Sequence, residues 1–222
     1  MANNTINKEE IEKFSNLAEE WWDPNGKFKP LHKFNPTRIH YIKENLIHHF
    51  KIKKKKIPLK NLKILDIGCG PAEILDYIQG CEYYGYDIDK RSIEYAKQKY
   101  FNKRYRFFCK IFNKNEIRKL PKFDYIILFG ILHHLNNDEV NSILNLCKKI
   151  MKKNCKILTE DPILIKNQNM IAKFLIQKDR GMNVRNKKEY LFLLNNHFKT
   201  VNYKIVNQLF IPYTWFTTIC KK

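Results

Sequence analysis

The chain has 222 residues, 44% hydrophobic and 14% aromatic, which suits one α/β core with an extension and is too short for two full domains. This composition excludes a disordered chain, and no run reaches the ~18 consecutive apolar residues of a transmembrane helix. The formal charge of +20 invites RNA or anionic lipid, yet only seven of the 42 basic residues are Arg; with abundant Asn and Ile and scarce Ala and Gly, that bias is also what A+T-rich codon use produces.

The N-terminus lacks the apolar core of a secretory signal, so a cytoplasmic protein is expected. Ile11, Phe14, Leu17, Ala18 and Trp21 lie near helical spacing, and Asp23-Pro24-Asn25-Gly26 ends that helix. Lys27 to Phe34 reads as an extended loop. Asn35 then caps a second helix with Pro36 at its first position and a stripe of Ile39, Ile42, Leu46 and Phe50. Lys51 to Lys60 reads as a solvated basic linker. Residues 1–60 are therefore expected to form a helical lid with its linker, and 61–222 the main domain.

That domain opens on Ile64-Leu65-Asp66-Ile67-Gly68-Cys69-Gly70, which reads as strand, tight turn and helix. Gly68 and Gly70 allow unusual backbone angles and leave room for a ligand against the main chain. Asp87 closes a second β-rich run 19 residues beyond Gly68, the layout of a nucleoside site. Glu73, where a dinucleotide fold has its third glycine, argues against NAD and for a ligand without phosphates. A helix over Ser92–Tyr100 and a strand over Tyr105–Cys109 follow. Phe123–Phe129 is a near-continuous apolar run, hence a strand covered on both faces, with Gly130-Ile131-Leu132-His133-His134-Leu135 at its carboxyl end. A helix is predicted over Asn137–Met151 and a strand over Cys155–Glu160. Met170, Ile171, Phe174, Leu175 and Ile176 form an amphipathic helix suited to packing, a greasy pocket or a membrane surface. A last helix around Lys187–Leu191 precedes strands at Val201–Val206 and Trp215–Cys220. The six cysteines form no C-x-x-C pair and read as reduced thiols, with Cys69, Cys109 and Cys220 as small core residues.

Asp66-Ile67-Gly68-Cys69-Gly70 with Asp87 resembles the signature of class I S-adenosylmethionine-dependent methyltransferases. The resemblance implies a Rossmann-like seven-stranded sheet with its last strand antiparallel. It also implies that Gly68, Cys69 and Gly70 cradle the methionine part of the cofactor while Asp87 binds both ribose hydroxyls. Cys109-Lys110-Ile111 departs from the pattern, lacking the acid that usually holds adenine. The segment from Phe14-Ser15 through Trp21-Trp22-Asp23-Pro24 to Asn35-Pro36-x-Arg38 resembles the ubiquinone-biosynthesis O-methyltransferases. That implies Arg38 on the cofactor carboxylate and Phe129 packed on adenosine. The same family usually has Glu-x-Leu-Glu-His after the fourth strand and is thought to hold a divalent metal there; Gly130 and His133 replace both acids, so no metal is expected. His133 or His134 can serve as general base, or be hydrogen-bonded into the strand-end turn. The implied reaction is O-methylation of a phenolic, lipid-linked quinone precursor. Leu132-His133-His134-Leu135 and Asp179-Arg180-Gly181 leave a sugar, lipid or other small metabolite open as acceptor, and charge alone suggests RNA. The expected partner is a small or lipid-linked acceptor with peripheral contact to the inner face of a membrane, and no specific nucleic acid.

Overall fold

A computed structural model describes residues 59–177, 181–208 and 213–222. The expected lid, nearly all of the basic linker and Arg38 lie outside the described residues. Leu59, at the linker's end, is buried. In chain order the elements are β1 (Lys63–Ile67), β2 (Glu82–Asp87), α1 (Lys90–Lys99), β3 (Tyr105–Cys109), α2 (Lys114–Ile117) and β4 (Phe123–Phe129). Then come α3 (Asn137–Ile150), β5 (Met151–Leu164), α4 (Met170–Gln177), β6 (Arg185–Asn186), α5 (Lys187–Asn195), β7 (Thr200–Gln208) and β8 (Tyr213–Lys221). They fall into two compact units, one holding Cys69–Ile111 and the other Lys63–Gly68 with Phe112–Lys222.

In the first unit β2 and β3 run parallel, with Tyr83 opposite Tyr105 and Asp87 opposite Cys109. Gly85 is required here, because a Cβ at that position would come within 2.8 Å of Cys69 Sγ. Helix α1 begins at Lys90, ahead of the Ser92 start expected from apolar spacing. Asp89 causes the difference: its carboxylate accepts the Arg91 and Ser92 N–H groups and caps the helix. The helix expected after the glycine loop is reduced to a single 3-10 turn, Glu73–Asp76. Ala72 precedes it in the left-handed region at φ 55°, which interrupts regular helix, and Gly80 soon leads into β2.

In the second unit the strand order is β1-β4-β5-β8-β7, with β6 paired to the end of β5. β1, β4 and β5 are parallel, whereas β8 runs antiparallel to both β5 and β7. The apolar runs fill the centre: Ile64, Leu65, Tyr125 to Leu128, Ile157 and Leu158 are fully buried. β5 is longer than the predicted strand, because Phe123 pairs with Met151 and Tyr125 with Lys156, so the residues between bulge outward. Cys220 is buried as expected, Cys69 is half-buried, and Cys109 is exposed at the end of β3. All six cysteines are free thiols.

Helices α3 and α5 both start with a capping box, Asn136 with Glu139 and Asn186 with Glu189. Asn136 Oδ1 accepts the Asp138 and Glu139 N–H groups at 3.0 Å each. Replacing it (Asn136→Ala) should lower stability by about 1 kcal/mol in urea unfolding, while Asn136→Asp should stay near wild type.

Candidate active site

Asp87 ends β2 with its carboxylate fixed by the backbone around it. Gly70 N–H donates to Oδ2 at 2.7 Å, and Asp89 N–H donates to Oδ1 at 2.9 Å. The Cys69 N–H donates to the Tyr86 carbonyl at 3.1 Å, which ties the glycine loop to the same strand. Burial pushes the Asp87 pKa up, opposed by the Asp89 and Gly70 N–H groups. Gly70 adopts φ 51°, and among the described residues nothing lies within 4 Å of where its Cβ would be. The loop is thus open on that side, next to an oriented carboxylate with lone pairs to spare for two hydroxyl donors. A nucleoside ribose has that chemistry, so the residues present fit the adenosyl cofactor.

Gly68 behaves differently. It sits at φ 75°, and an added Cβ would come 2.1 Å from Ile131 Cδ1. The Cβ space beside Gly68 is therefore filled by the turn after β4, so a side chain added there would meet Ile131.

That turn carries the two histidines in the second unit. Phe129 is half-buried at the end of β4 and pairs with Glu160. Gly130 follows at φ 62°, its N–H donating to the Glu160 carbonyl at 2.7 Å. His133 is 5% exposed and Asp161 only 1%. The His133 backbone N–H and ring Nδ1 both meet Asp161 Oδ1, at 3.1 and 2.9 Å. A carboxylate only accepts, so Nδ1 carries the proton and Nε2 is the basic nitrogen. The His134 ring lies against that of His133, centroids 4.0 Å apart. Gly181 abuts His133 so closely that a Cβ there would come 2.0 Å from Cδ2.

Sequence reasoning missed Asp161 and Arg185. Arg185 is buried and donates to the Leu132 carbonyl at 2.7 Å, the Leu135 carbonyl at 2.6 Å and Asn137 Oδ1 at 3.0 Å. Its guanidinium thus closes the turn bearing the histidines from the far side. The only signal for it was its place at the end of the stretch that begins Asp179-Arg180-Gly181. For Asp161 the signal was an acid, just after a buried strand, followed by proline.

The donor set does not fit the divalent metal of the related family. Gly130 has no side chain, and the His133 Nδ1 is committed to Asp161. No step here runs through a metal.

Residues 65–157 match the family model described as "Methyltransferase domain". That stretch is thus similar to a methyltransferase domain. Among curated proteins it is 46% identical over 153 residues to the ubiquinone biosynthesis O-methyltransferase of Pelagibacter ubique, covering 68% of this chain and 63% of that relative. Its match to the protein of that name from Sinorhizobium medicae is 42% identical over 99 residues, 43% of this chain and 40% of the relative. Among solved structures, magnesium protoporphyrin IX methyltransferase from Synechocystis PCC 6803 with bound S-adenosylmethionine superposes with a TM-score of 0.67 at 14% identity, covering 100% of both chains. A 1,6-didemethyltoxoflavin-N1-methyltransferase from Burkholderia thailandensis gives 0.65 at 15% identity over 97% of this chain and 86% of that one. These likenesses show the expected Rossmann-like methyltransferase fold.

Gly68→Ala should destabilise the protein for two separable reasons. Left-handed backbone costs a residue with Cβ about 1–2 kcal/mol, and Ile131 must also move. Adding Ile131→Ala to Gly68→Ala should recover only the second part, read as a partial return of the urea midpoint.

Proposed function

We propose that this chain is an S-adenosylmethionine-dependent O-methyltransferase acting on a phenolic quinone precursor with a lipid tail. The observation that carries the reading is the Asp87 carboxylate, aimed by two backbone N–H groups beside the open face of Gly70. Gly70 and Cys69 would bound the methionine part of the cofactor and Asp87 its ribose. The bound cofactor supplies an electrophilic methyl on a sulfonium. The protein's part is to position the acceptor and to take the hydroxyl proton, a task suited to His133 or His134. The acceptor class rests on the 46% identical relative, whose name specifies ubiquinone biosynthesis.

Calorimetry with S-adenosylhomocysteine tests the cofactor assignment. Asp87→Ala should weaken binding at least tenfold, since each lost charge-assisted bond is worth ~1.5–3 kcal/mol before compensation. Because burial raises the Asp87 pKa, wild-type affinity should start to fall, as pH drops, above the usual carboxylate range. Wild-type affinity in Asp87→Ala would sink the assignment. Turnover is then tested with a catechol bearing a prenyl tail; transfer to sugars in its place would favour the small-metabolite reading.

The same reading places a peripheral membrane contact on α4. This helix buries Ala172 and Ile176 but leaves Met170, Ile171 and Phe174 exposed, beside exposed Lys166 and Lys173. Among the described residues no helix is long and apolar enough to cross a membrane. Apolar insertion with lysines at the headgroups suits an anionic surface. Met170→Asp with Ile171→Asp should abolish co-sedimentation with phosphatidylglycerol vesicles, and undiminished co-sedimentation would exclude α4.

A further inference from the structure

We infer that Asp161 is the positioning residue that makes His133 the general base, an inference that rests on the methyl-transfer reading above. The register of the sheet places it there. Phe129 pairs with Glu160, so the next residue of β5 stands beside the turn after β4. Asp161 then accepts both the backbone N–H and the ring Nδ1–H of His133 on one oxygen. Two bonds to one residue fix both the position of the turn and the rotation of the ring. Asp161 Oδ2 is buried without a hydrogen-bond partner among the described residues, so His133 is the group that answers this carboxylate.

The surroundings sharpen the effect. Among the described residues, Asp161 from β5, the neighbouring His134 ring and the Arg185 guanidinium on the carbonyls of Leu132 and Leu135 all face His133 or its turn. Tyr190, over which Arg185 lies, donates to the Pro162 carbonyl at 3.1 Å; burial and the Asp161 charge hold its phenol neutral. Of these, only Asp161 is negative, and it touches the ring directly. It therefore stabilises the imidazolium that forms when Nε2 takes a proton. In the proposed step the acceptor oxygen forms its bond to the methyl carbon as the sulfur–methyl bond breaks and its electron pair returns to sulfur. The hydroxyl proton passes to His133 Nε2 and afterwards to solvent.

Side-chain ¹⁵N and ¹³C NMR on the full chain reads this without any substrate. The His133 signal is assigned as the one missing in His133→Asn. Neutral His133 should carry its proton on Nδ1, and its titration midpoint in Asp161→Asn should fall by about one pH unit, a tenfold change in acidity. The other histidines should keep their midpoints. An Nε2–H tautomer in the wild type, or an unmoved midpoint in Asp161→Asn, overturns the proposal; the tautomer reading stands even if the variant does not fold. In methyl-transfer assays the acid limb of kcat should shift to lower pH with the same displacement in Asp161→Asn, and plateau kcat should drop at least tenfold with KM for cofactor within twofold. Loss of the acid limb without that displacement also overturns it. Absence of turnover in the wild type, with the NMR result intact, counts against the methyl-transfer reading and not against the histidine–aspartate pair.

Discussion

The contact on which the second unit depends is the buried pair of Asp161 and His133. A carboxylate that is 1% exposed is costly to ionise in a low-dielectric interior unless donors reach it. Here both donors come from a single residue on the neighbouring strand's turn. That requirement explains the rest of the neighbourhood. Gly130 must turn through a left-handed conformation to bring His133 back over β5. Gly181 must lack a side chain because the imidazole occupies its Cβ space. Arg185 must be buried because the carbonyls of Leu132 and Leu135 would otherwise lack strong donors.

A comparable trade governs the first unit. Burial raises the pKa of Asp87, which means the fold disfavours its charged form. The sign matters: an acid with a raised folded pKa gives less stability once pH rises past its unfolded value. Two backbone N–H groups offset part of that cost and fix the direction of the carboxylate. An acid kept in place against stability is what a binding residue looks like, since a structural residue at the same place would gain from being apolar.

The sheet of the second unit also shows how architecture outlasts sequence. Structures with 14–15% identity superpose over nearly the whole chain. In this chain that architecture is parallel pairing of buried apolar strands with an antiparallel last strand, set by periodicity and handedness and not by individual side chains. The side chains at strand ends are free to differ, and here the turn after β4 carries Gly130 and His133.

The sequence alone determined the apolar strands, their order of appearance, the glycine loop and the acid of Asp87, because each depends on residues near one another in the chain. β4 was legible as Phe123–Phe129 to the residue, and both β7 and β8 were found but read too short at either end. Start points failed where a cap, not an apolar stripe, decides them, as at Asp89. The tertiary structure alone decided what fills the space at Gly68, and which histidine is held by an acid. Ile131 lies 63 residues from Gly68, and Asp161 lies 28 from His133, so only strand pairing brings them together. Periodicity reports which face of a strand is buried; it carries no record of which residue of the next strand stands opposite.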